Sequence, residues 1–284
     1  MSRLHVSRSR MSGVRRVAAA STVALALVGL AACSSSSSSS SAGSSSSASA
    51  GASASSSAAV TGKITVFAAA SLKDTFTTLA KEFEAAHPGT SVTFSFGGSD
   101  TLAASIVNGA PADVFASAST TTMQTVTAKG DNAGAPVDFA KNELEIAVAP
   151  GNPKQITSLA QLADPKYKVA LCAKTVPCGA AAVKALAAAD IKLTPVTLEQ
   201  DVTSALTKVE LGEVDAALVY QTDVKGADKK VTGVNFPQAA KAITTYPVVA
   251  LKGSSNSATA QAFAAFVASA QGEQVLQAAG FQAP

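Results

Sequence analysis

The sequence predicts an α/β protein of two lobes, each a mostly parallel sheet flanked by helices, with a ligand cleft between the lobes. Three observations carry this. Residues 63–83, KITVFAAASLKDTFTTLAKEF, run from a buried strand into an amphipathic helix across a single serine. The same strand–turn–helix order, with serine or glycine in the turn, returns downstream. Two apolar strands, at residues 143–149 and 242–251, stand where the chain would cross out of a first lobe near residue 145 and return near 245. Residues 61–144 and 245–284 then form the first lobe, and 145–244 the second.

Before residue 61 nothing can build a core. Arg3, Arg8, Arg10, Arg15 and Arg16 form a basic n-region, residues 17–30 an apolar h-region, and Leu30-Ala31-Ala32-Cys33 a lipobox. Residues 1–32 therefore read as a lipoprotein signal peptide, the run being short and Ala-rich for a spanning helix. Cys33 is the expected lipidation site, which would hold the protein at the outer face of the cell membrane. Arg15-Arg16 raises twin-arginine export, but the flanking residues match that signal poorly. From Cys33 to residue 60 the chain is almost only Ser, Ala and Gly, a tether whose r.m.s. reach is about 25–30 Å.

The leader also distorts the charge. The chain has 22 Lys+Arg against 19 Asp+Glu, but all five arginines lie in the acid-free leader, leaving 17 against 19, a net of −2. Nucleic-acid binding loses its main support, and any anion site must work without a guanidinium fork. His87 is the one histidine after the leader and precedes Pro88 at a helix end, so it reads as a surface residue. Zinc sites and histidine-based triads lack partners. Cys172 and Cys178, six residues apart in an exported protein, read as a disulfide, with two buried thiols as the alternative.

In the first lobe, residues 64–68 are an apolar, β-branched run suited to a strand covered on both faces. Leu72, Phe76, Leu79, Ala80 and Phe83 then form one helical stripe. Ser71 reads as the N-cap, with Asp74 completing a capping box. A strand ending on a helix N-terminus turns free N–H groups and the positive dipole end outward, a seat for an anion. His87-Pro88-Gly89 stops the helix, and residues 91–96, SVTFSF, alternate as a second strand. Gly97-Gly98-Ser99-Asp100 opens a helix through Leu102, Ala103, Ile106 and Val107. Its glycines permit close approach of a ligand; an ordinary loop and N-cap is the alternative. Residues 112–116 read as a third strand, with Asp113 as a structural hydrogen-bonding residue.

In the second lobe, residues 143–149 form a strand closed by Pro150-Gly151-Asn152-Pro153, 156–162 a short helix and 168–172 a strand. Pro177 pre-sets a turn, leaving the N–H groups of Cys178 and Gly179 exposed at the start of an Ala-rich helix. Asp201-Val202-Thr203 opens another helix. Residues 216–220, AALVY, read as a buried strand ending in Tyr220, a core aromatic or a ligand hydroxyl with equal weight. Residues 258–279 carry Phe263, Phe266, Val267, Val275 and Leu276 at helical spacing.

If Ser71 and Ser99 face Cys178, Val202 and Tyr220 across a cleft, the donors are hydroxyls and backbone N–H groups with no formal positive charge. A small, fully ionised, tetrahedral oxyanion suits that set, and an amino acid does not. Hydrogen phosphate would need an acceptor, for which Asp100 and Asp201 are candidates, though both read rather as helix caps.

Over residues 62–281 the chain resembles the molybdate-binding proteins of bacterial molybdate importers, a type II periplasmic-binding fold. The resemblance rests on KITVFAAASL, FGGSDTLA, NGAPADVFASA, VPCG, QDV and LVY followed by Asp223. It implies that Ser71 and Ser99 give hydroxyl and main-chain contacts, Cys178 and Val202 main-chain N–H groups, and Tyr220 its hydroxyl. Cys178 stands where the family usually has alanine, Asp100 where serine is common, and Ser119 where an acid follows SA. The implied protein is a monomeric extracytoplasmic lipoprotein that captures molybdate or tungstate and delivers it to the permease of an ABC importer. Sulfate or phosphate binding is the alternative. No cofactor is implied, and without paired carboxylates, a usable histidine or a G-x-S-x-G motif no enzymatic activity is expected.

Overall fold

The computed structural model describes residues 59–284. The basic leader, the lipobox with Cys33 and nearly all of the tether lie outside the described residues. The first lobe begins with β1 (Gly62–Ala69), α1 (Lys73–Ala86), β2 (Thr90–Gly97), α2 (Ser99–Val107), β3 (Val114–Ala116), α3 (Thr120–Ala128) and β4 (Val137–Asn142). The chain crosses through Glu143 into β5 (Leu144–Val148), β6 (Val169–Cys172), α4 (Pro177–Ala188), β7 (Thr197–Glu199), α5 (Val202–Glu210), β8 (Ala216–Tyr220), α6 (Gln221–Gly226) and β9 (Thr232–Val234). It returns through β10 (Thr244–Ala250) and ends in α7 (Ser257–Val267) and α8 (Ala270–Ala279).

The two sheets share one plan, with orders β2-β1-β3-β10-β4 and β7-β6-β8-β5-β9. In each, the strand in fourth place is the one that runs against its neighbours, β10 in the first and β5 in the second. These are the strands that carry the chain between lobes. The remaining strands are aligned, so the C-terminal edges of β1, β2, β6, β7 and β8 supply the turns that face the other lobe, where ligands of open α/β sheets bind.

Each lobe has its own apolar core. In the first, Phe76 and Phe83 of α1 meet Phe263 of α7 edge to face, with ring centroids 6.2 and 5.3 Å apart. In the second, Leu144, Ile146, Leu218 and Val219 are fully buried, and α4 lies so close to β6 that a Cβ on Gly179 would overlap the Ala173 carbonyl. Burying each such Leu, Ile or Phe contributes about 1.5–3 kcal/mol. Asp113 ties strands together: Oδ2 accepts from the Thr65 N–H (2.6 Å) and Oδ1 from the Ser254 hydroxyl (2.6 Å).

Several expectations are corrected. Ser71 is not an N-cap, and it forms no capping box with Asp74. A 3₁₀ turn, Ala70–Leu72, separates β1 from α1, Leu72 takes the cap position, and neither helix start has a side-chain cap. The Ser71 hydroxyl bonds the Tyr246 hydroxyl instead, at 3.0 Å. Ser99 is the first residue of α2, Gly98 being the uncapped N-cap, and the Oδ1 of Asp100 is buried without a partner instead of capping. Asp201 does cap α5, accepting from the Ser204 N–H at 2.8 Å. The C-terminal helical stretch is two helices, broken where Ser269 caps α8.

Candidate anion-binding site

Ser71, Ser99, Cys178, Val202 and Tyr220 all border one small cavity between the lobes, of about 10 Å³, together with Gly98, Ala118 and Asp201. Each arrives on the C-terminal edge of a strand. Ser71 sits in the 3₁₀ turn after β1, and Ser99 opens α2 after β2. From the other lobe, Cys178 is the second residue of α4, behind Pro177, Val202 is the first of α5, and Tyr220 ends β8. The first-turn N–H groups of α2, α4 and α5 have no intrahelical acceptor, so three helix starts converge on the cavity with their positive dipole ends.

One of the hydroxyls is held as a donor by its surroundings. Ser99, buried, accepts the Ala118 N–H at 3.0 Å, which leaves its own proton for the cavity. Ser71 bonds the Tyr246 hydroxyl at 3.0 Å. Tyr220 is 1% exposed and, among the described residues, its Oη has no hydrogen-bond partner. Burial pushes both phenols up from the ordinary tyrosine value, so both keep their protons at neutral pH. A buried, unpaired O–H costs about 1–3 kcal/mol, and an oxyanion in the cavity would satisfy it.

Among the described residues, no lysine borders the cavity. Larger hollows of about 480 and 530 Å³ flank it and carry Lys73, Asp74, Glu199, Glu210, Asp223 and Lys225, side chains charged with both signs. Acceptors are scarce too. Both carboxylate oxygens of Asp201 are engaged by Ser204, its N–H at 2.8 Å and its hydroxyl at 3.0 Å. Asp100 does not border the cavity. Asp223 accepts the Tyr220 N–H at 2.9 Å, and burial pushes its carboxyl up to about 7.

Cys172 and Cys178 are joined by a disulfide, with Cα atoms 5.8 Å apart. It ties the end of β6 to the first turn of α4, the turn that presents the Cys178 N–H. The residue that sequence reasoning missed is Tyr246. Its position inside an apolar strand, TTYPVVA, reads as core, and only the three-dimensional contact with Ser71 marks it.

With this geometry in hand, the matches to known proteins become informative. A model of the bacterial extracellular solute-binding protein family matches residues 64–282. The chain belongs to that family. It is 45% identical over 221 residues to the molybdate-binding protein ModA of Mycobacterium tuberculosis, covering 78% of this chain and 85% of that one. The periplasmic molybdate-binding protein of Azotobacter vinelandii superposes with a TM-score of 0.67 at 23% identity, over 78% of this chain and 99% of its own. The sulfate-binding protein SubI of Mycobacterium tuberculosis gives 0.67 at 19% identity, over 78% and 86%. At such identities the two structures speak for the two-lobed fold and not for a ligand.

Proposed function

We propose that this protein captures molybdate or tungstate outside the cytoplasm and delivers it to the membrane permease of an ABC importer, held at the membrane by a lipid on Cys33. The observation that carries the ligand class is the donor set: Ser71, Ser99 and Tyr220 hydroxyls and the starts of α2, α4 and α5 surround one cavity that, among the described residues, no lysine borders. Such a set holds a fully ionised tetrahedral oxyanion by charge-assisted hydrogen bonds. The 45% identical relative is named a molybdate-binding protein, which favours molybdate within that class. The protein works as a binder and not an enzyme, as a monomer, and without a cofactor beyond its ligand.

Sulfate is the second reading, since it too is a fully ionised tetrahedral oxyanion that this set of hydroxyls and backbone N–H groups can hold. Hydrogen phosphate fits less well because its proton needs an acceptor: Asp201 is engaged and Asp100 lies off the cavity. A thermal melt with molybdate, tungstate, sulfate and phosphate tests this. Ligand at about a thousand times Kd adds about 4 kcal/mol, a shift of roughly 8–16 °C for a domain of this size. The largest shifts are expected from molybdate and tungstate; a larger one from sulfate would install the second reading. Ser99→Ala should weaken binding by about 1.5–3 kcal/mol. Cys33→Ala should release the protein from the membrane fraction.

A further inference from the structure

We propose that Tyr246, outside the cavity, is a positioning residue that aims the Ser71 hydroxyl proton at the anion, through a hydrogen-bond relay that begins at Asn142. The inference rests on Ser71 being an anion donor. Tyr246 lies on β10, the strand that returns to the first lobe, and is fully buried. Asn142, the last residue of β4, is 1% exposed and immediately precedes the outward crossing.

The direction of the relay follows from what is already committed. Asn142 Oδ1 accepts the Glu143 N–H at 2.9 Å, which fixes the amide so that Nδ2 faces inward. That nitrogen has two protons and two acceptors, Thr222 Oγ1 at 2.7 Å and Tyr246 Oη at 3.4 Å. The Tyr246 oxygen therefore accepts from Asn142, and in its 3.0 Å contact with Ser71 Oγ, where either oxygen has a proton to give, we assign Tyr246 as the donor. Burial keeps the phenol protonated. Ser71 Oγ, already an acceptor, then has its own proton free for the cavity it borders. Each bond in such a chain polarises the next. Ser99 reaches the same state differently, by accepting the Ala118 N–H. Both cavity serines are thus supplied with a donor from behind.

A double-mutant cycle read by titration calorimetry with sodium molybdate, on the full-length protein, tests this. Tyr246→Phe keeps the ring and removes the donor, so Kd should rise about two- to tenfold. In a Ser71→Ala background the same substitution should change Kd by less than twofold, because there is no hydroxyl left to aim. A merely structural tyrosine would cost the same in both backgrounds, and equal cost overturns the inference. So does an unchanged Kd for Tyr246→Phe when Ser71→Ala alone weakens binding. If Ser71→Ala itself leaves Kd unchanged, the assignment of Ser71 to the site is wrong and the relay falls with it. Ligand-free melting midpoints report whether each variant folds; should Tyr246→Phe not fold, Asn142→Ser takes its place in the cycle, with the same non-additivity expected.

Discussion

Gly98 offers the most direct mechanical test of the closed crevice. Its backbone is extended, with φ −61° and ψ 130°, so alanine is permitted there as far as its own dihedrals are concerned. What excludes a side chain is the other lobe. A Cβ at Gly98 would meet the Gln200 backbone carbonyl well inside the 3.0 Å that real Cβ atoms keep, with Asp100 Oδ1 at 2.8 Å and Gln200 C at 3.6 Å. The Asp100 side chain can swing aside, whereas the Gln200 carbonyl belongs to the segment that leads into Val202 and the start of α5. In Gly98→Ala the lobes must therefore stay apart by roughly half an ångström, taking a 2.9 Å hydrogen bond to about 3.4 Å, the edge of bonding. Losing one hydrogen bond to a charged ligand costs about 1.5–3 kcal/mol, a tenfold to roughly 150-fold loss of affinity. Where the ligand-free lobes stand far enough apart to clear Gln200, alanine adds about 0.4–1 kcal/mol, because it narrows the unfolded ensemble. Calorimetric titration with molybdate and a ligand-free melt measure the two effects separately. A variant that binds within twofold of the parent would refute the claim that Gly98 and Gln200 meet when the anion is held.

Tyr220→Phe removes a hydroxyl that is buried and unpaired, so the ligand-free melting midpoint should hold or rise while molybdate affinity falls about tenfold or more; an unchanged affinity would take Tyr220 out of the site. Reducing the Cys172–Cys178 bond frees a short loop, six residues in separation, and loop entropy puts the loss at about 2 kcal/mol. That corresponds to roughly 4–8 °C in a domain of this size, and a melt with and without dithiothreitol that shows no difference would contradict it. Asp223 should make stability depend on pH. Its carboxyl is raised from 3.8 to about 7, first by desolvation and further by the Asp201 and Asp74 charges, against the Tyr220 N–H. The folded state therefore holds the proton more tightly than the unfolded chain, and this stabilisation, complete below about pH 4, is lost as pH rises through about 7. The ligand-free midpoint should fall between pH 5 and 8 in the parent and fall less in Asp223→Asn; parallel curves would count against it.

The parts of the fold legible from sequence were those whose signal is local. Residues 216–220 read as a buried strand because all five are apolar, and Pro177 with the alanines after it read as a helix start because proline suits the first turn. The elements that escaped have weak local signals. TTTMQTVTA, which forms α3, is rich in β-branched threonine, a poor helix former, and is held by the Ser119 cap and by Met123 and Val126 packed in the core. VDFAKN, which forms β4, and TLE, which forms β7, are short and polar, and gain their strand character from neighbours in the sheet. The cap at Ser71 was misplaced by one step, because a 3₁₀ turn leaves no trace in residue type. Tyr246 illustrates the larger limit: Ser71 lies 175 residues away in sequence, and only packing brings the two hydroxyls together.

The absence of a lysine at the cavity shapes how closure must be driven. Closing two lobes around Ser71, Ser99 and Tyr220 strips water from hydroxyls that point into the cavity, and each buried donor left unmet costs about 1–3 kcal/mol. Among the described residues, Tyr220 is the one of the three whose hydroxyl is buried without any partner, and it alone makes an empty closed state unfavourable by about 1–3 kcal/mol, part of the roughly 5.5 kcal/mol that separates a mostly open from a mostly closed population. An oxyanion that accepts from all three removes that penalty and adds the charge-assisted bonds, so the ligand's differential affinity for the closed state is built into the donors themselves. A lysine in their place would bring a charge needing its own counterion, and would favour any anion that reached it. Hydroxyls and peptide N–H groups, with Ala118 bonded to Ser99 and Tyr246 to Ser71 behind them, would favour the anion whose oxygens meet them all at once.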